Sequence, residues 1–493
     1  MADVPQVSPE TRMLIDGKLV DASQGKTFAN VNPATEEVLG HVANASADDM
    51  ERAISAARRA FDDTDWSTNR PFRQRCLEQL TDALQTEREE LREQLILEVG
   101  CPRMLTYGPQ LDAPLDHAIS YPAKLIDDYA WETDLGDAVN MRGGIDSRRV
   151  VKEPVGVVGA IVPWNYPFEV SITKVAQALA TGNTAVLKPA PDTPWNATCI
   201  GRIVAEHTDI PPGVLNIVTS SDHQVGEQLT LSPHVDLISF TGSTVVGKRI
   251  MEKGAATLKR LFLELGGKSA TIVLEDADFP TAMMSGLAVC SHAGQGCAIP
   301  TRMLIPRSRY AEGVEILRAT MSGVPYGDPQ RPDVIMGPLI SEKQRSRVLG
   351  YIERGVADGA TLALGGRRPE ELDKGWYVQP TLFTEVDNSM AIAREEIFGP
   401  VLVVIPFEDD DDAVRIANDS NYGLGGAVIS ASLERSLAVA RRVRTGIVSV
   451  NGGMPYGADL PFGGFKDSGI GRQNGIAGFD QYLEIKSMAW PAG

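Results

Sequence analysis

The chain has 493 residues, of which 43% are hydrophobic and 23% are charged, and its formal net charge is −18. This length is too great for one hydrophobic core and predicts two or three domains. An acidic chain without a basic stripe is a poor partner for nucleic acid or anionic membranes, and no run of about 18 apolar residues is present to span a bilayer.

The five cysteines are odd in number and scattered, which argues against a disulfide framework and paired-cysteine metal sites. The first residues lack the pattern of a secretory signal, so we expect a cytoplasmic protein.

The spacing of apolar residues predicts an α/β protein. Residues 12–43 alternate apolar and polar side chains around turn signals, which predicts short strands and a hairpin. Residues 46–97 change to a helical period and predict two helices, separated near Trp66. Over residues 149–253, and again over 269–450, strand and helix signals alternate. Such alternation predicts mostly parallel sheets covered by helices, with a cleft between two α/β units.

The acidic run at residues 408–412 allows two interpretations. Adjacent carboxylates could bind a cation, but these residues directly precede the helical pattern of Ala413–Asn418. Because acidic side chains stabilise the N-terminus of a helix, we interpret the run as a helix start.

Two residues whose side chains could take part in catalysis lie in glycine-rich segments. Cys297 follows glycines at positions 294 and 296. Glycines leave room for a substrate beside the thiol and allow the backbone to turn. Glu264 closes an apolar run and precedes a separate Gly-Gly turn. A thiol and a carboxylate suit thioester chemistry, in which the thiol is the nucleophile and the carboxylate is the base.

Four further blocks complete a pattern that is typical of one family. They are Pro163-Trp164-Asn165, Lys188-Pro189, Phe240-Thr241-Gly242-Ser243-Thr244 and Glu396-Ile397-Phe398-Gly399-Pro400. In order and spacing, all six blocks resemble the aldehyde dehydrogenase superfamily along nearly the whole chain. The resemblance implies an α/β fold with a Rossmann-like parallel sheet in the cofactor domain, an α/β catalytic domain and a small β oligomerisation arm.

The resemblance also implies how the chain is divided. We expect a cofactor-binding domain from residues 1–125 and 149–263, a catalytic domain from 264–450, and an oligomerisation arm from 126–148 and 475–493. Such an arm implies a homodimer or a homotetramer. The expected partner is a small-molecule aldehyde, and no metal is expected.

Four residues receive catalytic roles from the resemblance. Cys297 attacks the aldehyde carbonyl to give a thiohemiacetal and, after hydride transfer to the nicotinamide, a thioester. Glu264 activates the water that hydrolyses this thioester, and Asn165 donates its side-chain amide to the oxyanion beside the backbone N–H of Cys297. Lys174 matches a lysine of a proton relay, but its usual acidic partner falls at Gln473. Because glutamine cannot shuttle a proton, we expect deacylation to depend on Glu264.

The dinucleotide site is not expected to be of the usual Rossmann type, because no Gly-x-Gly-x-x-Gly motif follows a first strand. Instead, Gly242 and Ser243 lie where a strand ends and a helix begins, which favours a pyrophosphate at the helix N-terminus. The resemblance places Lys188 at the adenosine ribose and Glu396 at the nicotinamide ribose. The full set of expected cofactor-binding residues is Val162, Pro163, Trp164, Lys188, Gly242, Ser243, Val246, Leu265, Glu396 and Phe398.

The choice between NAD and NADP depends on the third residue after Lys188. Many NAD-preferring relatives carry a glutamate there, whereas this chain carries Pro191. Proline neither bonds the ribose hydroxyls nor repels a 2′-phosphate. NAD is therefore the expected cofactor, and NADP stays open.

An apolar entrance is expected to lead the aldehyde to Cys297. Phe168 and Thr173 on one helix, and Phe462 near a glycine-rich segment, would line it. No arginine adjoins Cys297, so phosphorylated and carboxylated semialdehydes are disfavoured. The alternatives are a CoA-acylating enzyme, against which Glu264 argues because it activates water, and a non-catalytic structural relative.

Overall fold

The computed structural model describes residues 7–492. Residues 1–6 and 493, which the expected domains include, lie outside the described residues. The strands are β1 (Met13–Ile15), β2 (Lys18–Val20), β3 (Thr27–Val31), β4 (Val38–Ala43), β5 (Glu132–Val139), β6 (Ile145–Pro154), β7 (Val157–Ile161), β8 (Thr184–Lys188), β9 (Leu215–Ile217), β10 (Leu237–Thr241), β11 (Arg260–Glu264), β12 (Ala270–Val273), β13 (Arg302–Pro306), β14 (Thr361–Leu364), β15 (Thr381–Thr384), β16 (Val401–Phe407), β17 (Tyr422–Gly423), β18 (Gly426–Ile429), β19 (Ser449–Val450), β20 (Phe465–Lys466), β21 (Gly469–Ile470) and β22 (Leu483–Pro491). The α-helices are α1 (Ala47–Asp63), α2 (Arg70–Thr86), α3 (Arg88–Val99), α4 (Arg103–Thr106), α5 (Asp112–His117), α6 (Ser120–Asp128), α7 (Pro167–Ala180), α8 (Trp195–His207), α9 (His223–Leu231), α10 (Thr244–Gly254), α11 (Phe279–Met283), α12 (Tyr310–Ser322), α13 (Glu342–Ala357), α14 (Ala391–Arg394), α15 (Asp410–Asn418), α16 (Leu433–Ala440) and α17 (Gly475–Asp480).

An eight-stranded sheet organises the first α/β unit. Its strand order is β2-β1-β9-β8-β7-β10-β11-β21, and the strands from β9 to β11 are parallel. β8 and β10 are buried along their whole length, and β7 along all but its last residue. Continuous apolar runs of this kind belong to strands that are covered on both faces. The predicted Rossmann-like parallel sheet is therefore confirmed, with antiparallel strands at its two edges.

A seven-stranded sheet organises the second unit. Its order is β14-β15-β16-β13-β12-β18-β19, and all neighbouring pairs from β15 onward are parallel. Only β14 is antiparallel to its neighbour. A hydrophobic core that is separate from that of the first unit surrounds this sheet. The second alternating stretch of the sequence thus has its own layer architecture, as the pattern predicted.

A third sheet is antiparallel, in the order β22-β6-β5. β22 pairs with β6 along its whole length, from Leu483 opposite Pro154 to Pro491 opposite Asp146. These strands supply the small β arm that the sequence predicted, although its limits differ. β6 continues beyond residue 148 to Pro154, and residues 475–480 form helix α17 instead of arm.

The stretch from residue 46 to 97 contains three helices, so the prediction of two was wrong. Ser46 and Asp49 form a capping box at the start of α1, and the side chain of Asn69 caps α2. Glu87 then leaves the helical conformation, with φ −98° and ψ 13°, and α3 begins directly after it. The apolar spacing continues across this one-residue break, which is why the sequence pattern did not show it.

The strand-like stretch 149–162 is also divided. Gly156 has φ 133°, a conformation that favours glycine, and it separates β6 in the arm from β7 in the first sheet. One continuous apolar stretch of the sequence therefore contributes a strand to each of two different sheets.

The acidic run at residues 408–412 forms the start of α15, as predicted. The side chain of Asp409 accepts a hydrogen bond from the backbone N–H of Asp412 at 2.8 Å and caps the helix. Residues 7–492 contain no group of three or more His, Cys, Asp or Glu side chains that could hold a metal ion. Within the same range, no helix is both long and apolar enough to cross a membrane.

Candidate active site

The parallel strands of the first sheet bring distant residues to one edge. β7 ends at Ile161, β8 at Lys188, β10 at Thr241 and β11 at Glu264. Ile161 lies opposite Lys188, and Thr241 lies opposite Glu264. Because the carboxyl ends of parallel strands share an edge, the segments that follow these strands meet there. This is the edge at which open α/β sheets bind their ligands.

Cys297 reaches this edge from the second unit. It follows a 3-10 helical segment (Met284–Gly294) that ends in three residues with positive φ, from His292 at 50° to Gly294 at 73°. A Cβ at Gly294 would overlap the carbonyl oxygen of Gly399, so this turn requires glycine. The turn leaves the thiol of Cys297 half-buried rather than sealed in the core.

The Cys297 thiol and the Glu264 carboxyl are close enough for each to shift the pKa of the other. Desolvation raises the pKa of Cys297 well above its usual value, and the neighbouring Glu264 raises it further. Burial also raises the pKa of Glu264, which is 3% exposed and has one oxygen without a hydrogen-bond partner among the described residues. A carboxyl whose pKa is raised is a better proton acceptor for a thiol near neutral pH.

Asn165 lies between the two units. Its side-chain Nδ2 donates a hydrogen bond to the backbone oxygen of Gln295 at 2.8 Å, two residues before Cys297. Gln110 in turn donates to the backbone oxygen of Asn165 at 2.8 Å. The amide nitrogen carries two hydrogens, so one remains for a ligand. The sequence identified Asn165, whereas the polar residues that hold it in place were missed.

Gln295 fixes the turn that carries Cys297. Its side chain donates to the backbone oxygens of His292 and Pro338, at 3.1 and 3.2 Å, and accepts from the N–H of Ile340 at 2.9 Å. The sequence shows this role only as a glutamine between two glycines. Its full burial and its hydrogen-bond partners, which lie up to 45 residues away, are visible only in the structure.

Lys174 is fully buried on α7, every residue of which is buried. Its Nζ donates to the hydroxyl of Ser239 at 3.1 Å and to Oε1 of Gln473 at 3.3 Å, and it lies 4.4 Å from the ring centre of Phe262. Burial lowers the pKa of Lys174, and the charge of Glu264 opposes this change. The structure thus brings Gln473 to the position of a relay partner, with an amide where a proton carrier would be required.

A second carboxyl, which the sequence analysis missed, lies in the same region. Glu169 in the first turn of α7 accepts a short hydrogen bond from the hydroxyl of Tyr456 and a longer one, 3.5 Å, from Thr173. Burial raises the pKa of Glu169. The available signal was a charged residue in a helix that is otherwise mostly apolar.

The expected adenosine side of the cofactor site gathers at the ends of β8 and β10. Lys188 is buried, and its Nζ donates to the backbone oxygens of Pro189 and Ser220, both at 3.1 Å. Burial lowers the pKa of Lys188 to about 8. Gly242 links β10 to α10, whose N-cap is Ser243, with its hydroxyl accepting from the N–H of Val246 at 3.5 Å. Val246 is 43% exposed, so the first turn of α10 is open to a ligand.

The expected nicotinamide side lies next to Glu264. Oε1 of Glu396 accepts from the N–H of Gly267 at 3.0 Å, and burial raises the pKa of Glu396. The rings of Trp164 and Phe398 meet edge to face with centres 5.4 Å apart. Leu265 is buried and packs on Gly247 of α10.

The remaining expected residues divide between the site and the core. Val162 is buried and donates its N–H to the backbone oxygen of Lys188 at 3.2 Å, while Pro163 is half-buried. Phe462 meets Tyr456 edge to face at 5.3 Å, whereas Phe168 is fully buried in the core of the first unit. The substrate roles of both phenylalanines stay predictions.

Comparisons with known proteins agree with this geometry. A sequence model of the aldehyde dehydrogenase family matches residues 19–488. The chain is 43% identical over 478 residues to a 3-succinoylsemialdehyde-pyridine dehydrogenase of Pseudomonas sp., covering 96% of this chain and 97% of the relative. A crystal structure of a Mycobacterium tuberculosis aldehyde dehydrogenase complexed with NAD+ superposes with a TM-score of 0.94 at 40% identity, covering 99% of each chain. Betaine aldehyde dehydrogenase from Staphylococcus aureus in complex with NAD+ gives 0.94 at 36% identity, with 98% of this chain and 94% of the other covered. The chain therefore belongs to the aldehyde dehydrogenase family.

Proposed function

We propose that this protein oxidises an aldehyde to a carboxylic acid with NAD, through a thiohemiacetal and a thioester on Cys297. The observation that carries the proposal is the proximity of the Cys297 thiol to the Glu264 carboxyl, with Asn165 hydrogen-bonded to the turn that carries Cys297. A nucleophile, a base and an oxyanion donor are the parts that such an acyl-enzyme reaction needs.

Cys297 and Asn165 each have one task in this scheme, and Glu264 has two. The thiol of Cys297 loses its proton to Glu264 and adds to the aldehyde carbonyl, while the free N–H of Asn165 and the backbone N–H of Cys297 bind the developing oxyanion. Bound NAD supplies the hydride acceptor that converts the thiohemiacetal to a thioester. Glu264 passes this first proton to solvent. It then takes a proton from water, which attacks the thioester, and it returns that proton to the sulfur as the acid leaves. The burial that raises the pKa of Glu264 suits both proton transfers.

The expected residues fit a dinucleotide. Lys188 offers a buried ammonium group at the end of β8, and α10 presents an open first turn to a pyrophosphate. Glu396 would accept from ribose hydroxyls, and Trp164 and Phe398 would flank the nicotinamide channel. We assign cofactor binding to residues 1–125 and 149–263, apart from residues 149–154, which extend β6 of the arm, and we assign catalysis to residues 264–450.

We further propose that the β arm binds a second copy of this chain, to form a homodimer or a homotetramer. Val139 on β5 is 73% exposed and Ile485 on β22 is 69% exposed, and both of these strands are free edges of the three-stranded sheet. Exposed apolar strands at a sheet edge are suited to association. Ile485→Asp should lower the mass measured by light scattering, whereas Leu433→Asp, at an exposed position on α16 outside the arm, should not.

The test of the activity is NADH formation across straight-chain, aromatic and semialdehyde substrates. Cys297→Ala should abolish turnover while NAD still binds, as measured by calorimetry. Turnover that requires CoA and yields an acyl-CoA would instead establish the acylating alternative. Parallel assays with NADP would determine what Pro191 does to cofactor preference.

A further inference from the structure

The loop 395–399 carries the nicotinamide side of the expected cofactor site, and its backbone is strained. Phe398 has φ 60°, a left-handed conformation that is unfavourable for a residue with a Cβ. Its ring nevertheless stands edge to face with that of Trp164, and Glu396 accepts from the N–H of Gly267. A strained backbone persists only where the surrounding structure over-determines it. Much of that surrounding structure is supplied by helix α13.

Side chains of α13 donate hydrogen bonds to three successive carbonyls of this loop. Arg347 donates to the backbone oxygen of Glu396 at 2.7 Å. One turn earlier on the helix, Nε2 of Gln344 donates to the backbone oxygens of Ile397 and Phe398, at 3.3 and 2.7 Å. The strained part of the loop is therefore tied to α13 through its backbone.

The following turns of α13 hold the first residue of the loop through its side chain. The hydroxyl of Tyr351 donates to Oε2 of Glu395 at 2.7 Å, and Nη1 of Arg354 donates to Oε1 at 3.2 Å. Gln344, Arg347, Tyr351 and Arg354 are spaced three or four residues apart, so they share one face of the helix. Desolvation and the bond to Glu395 raise the pKa of Tyr351 to about 12, so its hydroxyl is a donor at neutral pH. Arg354 is 54% exposed, and an ion pair so open to solvent contributes little, which leaves Tyr351 as the main anchor.

We propose that Tyr351 is a positioning residue for the nicotinamide half of NAD: by binding Glu395, it sets the loop that presents Glu396 and Phe398 to the cofactor. This inference rests on the proposed aldehyde oxidation. Without the bond, the loop is free at its first residue, directly before the carboxyl that would accept from the ribose hydroxyls. Hydride transfer depends strongly on the placement of the two reacting groups. Loss of the anchor therefore impairs reduction of NAD, whereas steps at Cys297 that need no NAD continue.

Two reactions of the intact protein separate positioning from general stability. The first is oxidation of the aldehyde that the wild type turns over fastest in the panel above, measured as kcat/KM for NAD. The second is hydrolysis of 4-nitrophenyl acetate without NAD, which needs the thiol of Cys297 but no nicotinamide. The decisive quantity is the ratio of the first kcat/KM to the second, because any general loss of active protein cancels in that ratio.

Tyr351→Phe should lower this ratio about three- to tenfold, as loss of one hydrogen bond to a charged group permits. Glu395→Ala should lower it by a similar factor, and the double variant should lower it no further, because the two side chains act as one unit. Glu395→Gln should restore most of the ratio, since its amide oxygen still accepts from Tyr351. The matched control is Tyr310→Phe. It removes a tyrosine hydroxyl that accepts from the N–H of Glu385 at 2.9 Å and donates to the backbone oxygen of Val404 at 3.2 Å, and it should leave the ratio unchanged.

The outcomes separate the two proposals. An unchanged ratio in Tyr351→Phe, or an equal fall in Tyr310→Phe, overturns the inference while leaving aldehyde oxidation intact, as does a double variant whose loss is the product of the two single losses. If the wild type oxidises no aldehyde, the proposed function fails, and calorimetric titration with NAD decides the inference: binding weakened in Tyr351→Phe but not in Tyr310→Phe supports it, and equal binding overturns it. Alkylation of Cys297 by iodoacetamide replaces the ester if the wild type does not hydrolyse it. If Tyr351→Phe fails to fold, Glu395→Ala decides alone, because Glu395 is 46% exposed and its side chain can be removed without opening the core.

Discussion

Replacing Asn165 by alanine tests the active-site geometry most directly. The side-chain amide donates one hydrogen to the backbone oxygen of Gln295, at 2.8 Å, and leaves the other for the oxyanion. Loss of one oxyanion donor typically lowers kcat by about 100- to 1,000-fold, or about 3–4 kcal/mol. Loss of the bond to Gln295 leaves a buried carbonyl unpaired, which costs about 1–3 kcal/mol of stability. We therefore expect a large loss of kcat together with a moderate loss of stability.

Two assays separate these effects. Steady-state NADH formation measures kcat, and alkylation by iodoacetamide measures the reactivity of Cys297 without forming an oxyanion. If Asn165 acts as proposed, alkylation should proceed at nearly the wild-type rate while kcat falls at least about 100-fold. A parallel fall in both rates would show that Asn165 only supports the turn, and a loss of kcat below about tenfold would refute its role at the oxyanion.

Four further results are expected. Glu264→Gln should give a burst of NADH followed by turnover slowed at least about 100-fold. The thiol of Cys297, which is far more acidic than water, can still lose its proton to solvent and add to the aldehyde, whereas the water that attacks the thioester lacks its base. Stopped-flow absorbance without a burst would count against this division of steps. Gly294→Ala should lower the free energy of unfolding by more than about 2 kcal/mol, because Gly294 has φ 73° and a Cβ there would overlap a backbone carbonyl. The control is Gly350→Ala, which lies on α13 with open space around it. In the same urea titration, that change should leave the free energy of unfolding unchanged or raise it by up to about 1 kcal/mol. Burial lowers the pKa of His292 from 6.5 to about 4, so between these pH values the unfolded chain takes up a proton that the folded chain does not. As pH falls from 7 to 4, the free energy of unfolding of the wild type should therefore fall by up to about 3 kcal/mol more than that of His292→Phe. Equal losses in the two proteins, measured by urea titration at each pH, would contradict the assignment. Alkylation of Cys297 should begin at lower pH when NAD is present, because the positive nicotinamide offsets the carboxylates that raise the pKa of the thiol, and an unchanged pH profile would argue against that reasoning.

The parts of the site that could be predicted are those tied to strand ends and glycine turns. Lys188, Thr241 and Glu264 each close an apolar run, so their common position at the edge of the sheet follows from the parallel topology. Cys297 is marked by its neighbouring glycines, one of which requires φ 73°. In these cases the physical constraint lies within a few residues of the functional group, where a sequence pattern can express it.

The parts that were missed depend on contacts between distant segments. Tyr456 meets Glu169 across 287 positions, and neither residue lies in a motif. The break between α2 and α3 at Glu87 leaves the apolar spacing unchanged, so no local signal records it.

The glutamine at position 473 has an electrostatic explanation. Lys174 is fully buried, and the charges that favour its protonated form are those of Glu264 and Glu169. Glu264 and Glu169 also raise the pKa of Cys297, so each additional carboxylate makes the thiolate harder to form. An acid at position 473 would add another negative charge beside Lys174. Gln473 accepts the same hydrogen bond at 3.3 Å without that charge. Gln473 therefore holds the ammonium group of Lys174 without adding to the carboxylates that raise the pKa of Cys297.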